Sequence, residues 1–368
     1  MPIPRAWLAA KTDSVRSVIV LSYTNDVPAE AQSALEYATQ IWASILTSRV
    51  PINIAVTWDT LAPNVLASSG PSSVYHSFLG PATPTQHWYP VALAESLRGL
   101  PLNGADPDIT LTINSAIDWY YGDDQQPGSN QYDFVMVACH ELAHGLGFFS
   151  PASTSGDTAE LGLDGRLLIY EAFLQGMDSI SLSDVAAYPN PSEALFTVLT
   201  GDSLYFDCPD AVSIHGDPLR IHAPAAFRRG SSVAHLDEAT YAAGSAHSLM
   251  TPNISRQEAN HNPGDLTLCV MSQMGWETTP LPASPTEVRR AEPTAQLSLY
   301  PNPAGSWLQV RGVVGRQAYH ILDMQGRVVQ AGQLDRERLS VLPLAQGYYV
   351  FEIESLNGRM VHLPFVRQ

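Results

Sequence analysis

The period of the apolar positions changes twice in the first 60 residues. "SVIVLSYT" (17–24) is a short apolar run of strand length, whereas "PAEAQSALEYATQIWASILTS" (28–48) sets Ala34, Leu35, Ala38, Ile41, Trp42 and Ile45 at helical spacing. "PINIAVTW" (51–58) alternates, with Ile52, Ile54 and Val56 set against Asn53 and Ala55. The order strand, helix, strand, with a connection this long, predicts a parallel crossover. "DITLTINS" (108–115) alternates again, as a half-buried or edge strand does. Asp133 then stands at an N-cap position ahead of "FVMVACHELAHGLG", an apolar helix that Gly145 and Gly147 are expected to end.

Residues 151–230 are rich in Pro, Gly, Ser and Asp, and only "LLIYEAFLQGM" (167–177) reads as helical. "DLTLCVMSQMGW" (265–276) reads as a short closing helix. "ETTPLPASPTEVRRAEPTAQ" (277–296) has four prolines and few apolar residues, as a linker has. Beyond it, "LSLYPNP", "WLQVRGV", "AYHILDMQG", "RVVQAGQL", "LSVLPL", "GYYVFEIESLNG" and "MVHLPFV" are short strands with turn residues between them. That spacing predicts a small all-β sandwich.

Charge divides the chain at the same place. The formal charge is −17, yet residues 286–368 hold nine Arg against seven Asp or Glu, so the remainder carries 10 basic and 29 acidic residues. An acidic body repels nucleic acid and anionic membrane surfaces, which argues against both as partners. No run of about 18 apolar residues is present, so no transmembrane helix is expected. The opening "MPIPRAWLAAKTD" lacks the charged and apolar regions of a secretory signal peptide. Cys139, Cys208 and Cys269 show no CxxC spacing, and neither a disulfide framework nor a thiolate metal site is expected of them.

The candidate chemistry lies in "CHELAHGLGFFS" (139–150). Residues four apart on a helix share a face, so His140 and His144 can offer imidazoles to one ion. Glu141 lies about 100° around from His140, out of ligand position but within reach of a water on the metal. Zinc held by three neutral donors brings its water to a pKa of about 7, and the Glu141 carboxylate is placed to act as general base. Two histidines that merely hydrogen-bond are the bland alternative. An otherwise apolar helix argues against it, since three buried ionisable groups are costly without a metal. Gly147 permits a sharp turn out of the helix, and a common version of the motif then places a ligand three residues on. Here that position is Ser150, a poor zinc donor, so a more distant donor is needed.

Downstream, "GSSVAHLDEATYAAGSAHSLMTPN" (230–253) offers His235 beside Asp237 and Glu238, an acidic pair able to orient an imidazole. "HELAHGLGF", a long insertion, "GSSVAHLDE" and "LMTP" together resemble the leishmanolysin-type branch of the metzincin zinc peptidases. The resemblance implies His235 as third ligand and Met250 as the methionine beneath the zinc histidines. Glu160 and Glu171 are rival third ligands, outside the motif expected for them; His247 and His261 read as surface or loop histidines. The pattern departs from the family in lacking its disulfide-rich framework, a pro-segment cysteine, and a tyrosine at the spacing that follows the methionine in some members.

The implied architecture is α+β with an α/β-like upper half: an upper subdomain (1–150) with the HExxH helix, a lower subdomain (151–276) with the third ligand and methionine turn, the linker (277–296), and the β-sandwich (297–368). The implied activity is a secreted zinc endopeptidase with one catalytic Zn2+, acting on protein or peptide substrates that lie along an edge strand such as 109–114. A surface adhesin that retains the fold without catalysis is the alternative, and a hydrolase of non-peptide amides is a third. Calcium could sit in the Asp-rich 151–217 region, but no regular loop spacing supports it.

The tail words "YPNP", "D..GR.V" and "L..G.Y" (within 300–349), in that order at the C-terminus, resemble the sorting domain of type IX (Por) secretion cargo. That resemblance implies contact with the secretion machinery and a location outside the outer membrane, released or surface-attached. It also implies an export signal, and hence a natural start upstream of Met1.

Overall fold

The first strands form where the alternation places them. In the computed structural model, β1 (Ile19–Tyr23) pairs in parallel with β2 (Ile52–Asp59) after the crossover helix α1 (Ala29–Ile45). Residues 16–80, 85–279, 298–300, 304–311, 317–323, 327–334, 338–354 and 360–368 are described. They fall into two compact units, Met1–Ser284 and Pro285–Gln368, the first spanning both expected subdomains.

α1 buries Ala31, Ala34, Leu35, Ala38, Ile41, Trp42 and Ile45. Each of the larger side chains contributes about 1.5–3 kcal/mol by leaving water. Trp42 also donates its Nε1–H to the Cys139 carbonyl at 3.0 Å, which ties α1 to the helix that carries the candidate chemistry.

The sheet continues through β3 (Ala67–Pro71) and β4 (Ile109–Asn114) in the spatial order β1-β2-β4-β3. β4 runs parallel to β2, and β3 runs antiparallel to β4. Residues 109–114 are therefore an inner strand, and the edge on this side of the sheet is β3, with β1 at the other edge. The sequence conceals this because "ASSGP" has no apolar alternation; its strand geometry comes from backbone pairing to β4 alone.

α2 (Val91–Arg98) precedes β4, and α3 (Phe134–Gly145) lies against β3 and β4 with all twelve residues buried. Asp133 caps α3 as expected, accepting from Met136 N–H at 2.8 Å. The buried His261 donates Nε2–H to the same carboxylate oxygen at 2.8 Å, so it is a core histidine rather than a surface one. His247 is half-buried and packs against the rings of His215 and Tyr241.

The piece expected to be helical at 167–177 is one 3-10 turn, Glu171–Phe173, followed by the strand β5 (Leu174–Gln175). Its competitor is local: the buried Glu171 carboxylate accepts from Leu168 N–H at 2.9 Å, Gly162 N–H at 3.2 Å and Ser150 Oγ–H at 2.7 Å. Those bonds fold the backbone back on itself. β5 pairs with β6 (Leu204–Phe206), and β6 with β7 (Leu219–Ile221), after the short helix α4 (Glu193–Leu199). α5 (Gly264–Met274) closes the unit as expected, and Trp276 Nε1–H donates to the Leu146 carbonyl at the end of α3.

Cys208 and Cys269 form a disulfide across 61 residues of sequence, and Cys139 is free and buried. Absence of a short Cys spacing hid a long-range pair. Glu277–Thr278, inside the expected linker, instead pairs with Leu46–Thr47; residues 280–296 lie outside the described residues.

The second unit is all β among the described residues. β8 (Ser298–Tyr300), β9 (Trp307–Arg311) and β12 (Arg338–Ser340) form one antiparallel sheet. β10 (Gln317–Leu322), β11 (Val328–Leu334), β13 (Gly347–Glu354) and β14 (Met360–Arg367) form another, in the order β11-β10-β13-β14. Leu308 and Val310 of the first sheet share a core with Ile321, Phe351 and Ile353 of the second. Pro301 to Pro303 of the "YPNP" word lie outside the described residues.

Candidate metal centre

α3 presents His140 and His144 on one face, and His235 arrives from 91 residues further along to meet them. The three Nε2 atoms stand 3.0 Å (His140 to His144), 3.2 Å (His140 to His235) and 3.2 Å (His144 to His235) apart. Among the described residues this is the one cluster of three or more His, Cys, Asp or Glu able to hold a metal.

The other ring nitrogens decide what faces the centre. Each Nδ1 contacts a backbone carbonyl: Leu249 O for His140 at 2.6 Å, Phe148 O for His144 at 2.6 Å and Ser231 O for His235 at 2.8 Å. A carbonyl only accepts, so each Nδ1 carries the proton and each Nε2 is left with a lone pair. Three lone pairs facing one another repel unless a cation lies between them. Tetrahedral zinc with bonds of about 2.0–2.1 Å separates its ligand nitrogens by about 3.3 Å, so the donor set fits that ion.

Burial keeps the imidazoles in the neutral donor form. It lowers His140 to about 3 and His144 to about 4, with mutual repulsion adding to the His140 shift. His235 is held well below the ordinary histidine range, first by burial and then by the two neighbouring rings.

Glu141 is 8% exposed, and burial raises its carboxyl to about 8, opposed by a hydrogen bond from Ser69 N–H of β3. The edge strand thus holds the carboxyl beside the histidines. Both line a cleft of about 540 Å³ together with Leu66 to Ser69 of β3, Gly230 and Ser231, and Pro252 to Ile254. Gly147 has φ +121, a left-handed conformation that releases the chain from α3. The turn brings Phe148 O onto His144 and sends Ser150 away to Glu171.

His235 depends on a different kind of support. Ser231 and Ser232 N–H groups both donate to Arg228 O, and Arg228 N–H donates to Ser232 Oγ, closing a tight turn before the ligand. Val233 follows at φ +73, a conformation that costs a β-branched residue roughly 1–3 kcal/mol. Tyr170 O–H to Val233 O and Val233 N–H to His222 O hold it there. Met250, fully buried, ends a 3-10 turn (Ser248–Met250) whose Leu249 carbonyl binds His140 and whose Met250 carbonyl accepts from Leu236 N–H.

Several expected roles fall elsewhere. Asp237 does not orient His235; its carboxylate accepts from Thr240 N–H and Oγ–H, stabilising the next turn. Glu238 accepts from Asn253. Glu160 is exposed on a strand, and Glu171 spends its oxygens on Ser150, Gly162 and Leu168. Neither belongs to the histidine cluster. Ser69, Phe148, Ser231 and Leu249 act through main-chain atoms, which no side-chain pattern reveals.

Comparison with known proteins bears first on the tail, where residues 298–363 match the family described as secretion system C-terminal sorting domain. The second unit is a type IX sorting domain. It directs the protein to the secretion machinery and so to export, at the cell surface or beyond it, and no helix among the described residues is long and apolar enough to cross a membrane.

Upstream of the sorting domain, residues 22–158 match a family described as SPBPB7E8-like. A protein of Schizosaccharomyces pombe (strain 972 / ATCC 24843), described as "Uncharacterized protein PB7E8.01", is 31% identical over 121 residues. The aligned region is 29% of this chain and 21% of that protein, so the chain spans about a fifth of its relative. Among solved structures, PorZ of the Porphyromonas gingivalis type IX system is 14% identical at a TM-score of 0.18, covering 26% of this chain and 14% of its own. CopC from Methylosinus trichosporium OB3b is 23% identical at a TM-score of 0.15, covering 20% of this chain and 94% of its own. Neither likeness bears on the fold.

Proposed function

We propose that the first unit is an exported zinc endopeptidase of the leishmanolysin-like metzincin type. The observation that carries this reading is the meeting of three Nε2 lone pairs within 3.2 Å, with Glu141 next to them in one open cleft. Bound zinc supplies Lewis acidity, lowering the pKa of water to about 7 and polarising a carbonyl.

The chain's own groups supply the rest. His140, His144 and His235 hold the ion with neutral nitrogens whose orientation is fixed by their Nδ1 bonds. With the positive charge of a bound ion offsetting the burial that raises it, the Glu141 carboxylate accepts a proton from the attacking water and returns it to the departing amide nitrogen. Ser69 N–H keeps the carboxyl in place from the edge strand. The free edge of β3 offers main-chain groups to an extended peptide, and Val137, Phe149, Ala234, Pro252 and Ile254 give its side chains an apolar lining.

The test is zinc content and casein cleavage by the purified protein and by Glu141→Gln. One zinc per chain in both, with cleavage by the wild type and turnover reduced about 10³-fold in the variant, is expected. Zinc without cleavage of casein or of a peptide library would favour the adhesin reading.

A further inference from the structure

The disulfide encloses one half of the metal centre and excludes the other. Cys208 and Cys269 bracket Ser231, His235, Leu249 and Met250, whereas His140, Glu141 and His144 lie outside the loop. Both ends are anchored. Next to Cys208, Asp207 N–H donates to Phe173 O; beyond Cys269, α5 leads to Trp276, which donates to Leu146 O at the end of α3.

We infer that the Cys208–Cys269 disulfide is a positioning crosslink for the third imidazole, so that high-affinity metal binding is completed by oxidation of these two thiols. This rests on the zinc reading above. His140 and His144 keep their spacing through a single turn of α3 whatever the state of the cysteines. His235 reaches them only when its whole segment is docked, and a crosslink across 61 residues removes much of the freedom that the detached segment otherwise has.

In the oxidation, the two thiols lose two protons and two electrons as the sulfur–sulfur bond forms. A disulfide oxidant of the thiol–disulfide exchange class takes both electrons, its own bond opening to two thiols. Exported proteins meet such oxidants, whereas cytosolic thiols are kept reduced. The completed site is thus a property of the exported form. Cys139 takes no part, being buried in α3 away from the pair.

The experiment measures zinc affinity of the full chain by chelator competition in four forms: oxidised, reduced with a phosphine, Cys208→Ser/Cys269→Ser, and Cys139→Ala. Circular dichroism follows the fold throughout. The reduced and double-variant proteins are expected to bind zinc about 10–100-fold more weakly with their secondary structure intact, and Cys139→Ala to match the oxidised wild type. In a His235→Ala background, reduction should leave the residual affinity unchanged, an outcome that a general loss of stability does not give. Equal affinity of oxidised and reduced forms would overturn the inference. So would loss of secondary structure on reduction, which would make the bond a general staple. Absence of zinc binding by the oxidised protein would instead remove the metal reading itself.

Discussion

α3 and the segment 228–250 contribute to the same centre by opposite means. α3 is regular: one capped, buried helix sets two imidazoles and a carboxyl at fixed angles within 13 residues of chain, and only the outer bonds to Leu249 O, Phe148 O and Ser69 N–H come from beyond it. The later segment is irregular, delivering one imidazole through a tight turn and a 3-10 turn closed by local bonds and through a strained valine held by Tyr170 and His222. Local periodicity is economical where ligands are close in sequence. A distant ligand must instead be positioned by specific hydrogen bonds.

The strongest test of that contrast replaces one ligand from each side. His140→Ala and His235→Ala are both expected to weaken zinc binding by more than about 100-fold, since even supporting residues around a metal cost 10–100-fold. Wild-type affinity in His235→Ala, measured by chelator competition, would leave the far segment outside the centre.

A second test concerns Glu171, which holds the loop that replaces a nearby third ligand. Burial raises its carboxyl to about 7, so in the folded state it keeps its proton to higher pH than in the unfolded chain. Its contribution to stability is therefore full below about 4.5 and is lost as pH rises through 7. Relative to wild type, Glu171→Gln should gain roughly 2–3 kcal/mol between pH 5 and pH 8, read from denaturant melts at each pH. Zinc affinity should be unchanged; a fall to the level of His235→Ala would make Glu171 a ligand.

On the helix side, Asp133→Ala removes the α3 cap and the acceptor of buried His261, and should cost about 2 kcal/mol in denaturant unfolding. The smallest effect is expected at Met250→Leu, which keeps volume and should cost less than about 1.5 kcal/mol while retaining zinc. A larger loss would show that the thioether has a role beyond filling space.

The two halves were unequally legible in the sequence. Asp133, His140, Glu141 and His144 lie in one run whose period announces the helix and whose spacing announces the shared face. His235 and Met250 are marked only by short motif words that resemble a known family, because nothing periodic surrounds them. The edge strand stays hidden because Ala67 to Pro71 have no pattern, and their strand exists only through pairing with β4. The buried place of His261 is not legible in the sequence because it depends on Asp133, 128 residues earlier. In the tail, the short alternating strands are legible in outline among the described residues.

Gly145 sits beside His144, and a Cβ built there would stand 2.4 Å from Cγ2 of Ile109 in β4. The height of the helix above the sheet is thus set by a single hydrogen atom. A methyl group in its place would prise up the C-terminal end of the helix and tilt two rings away from the third. If the zinc reading proposed above holds, coordination bonds that tolerate displacements of only about 0.2 Å would make the grip on the ion a matter of clearance on the far side of the helix.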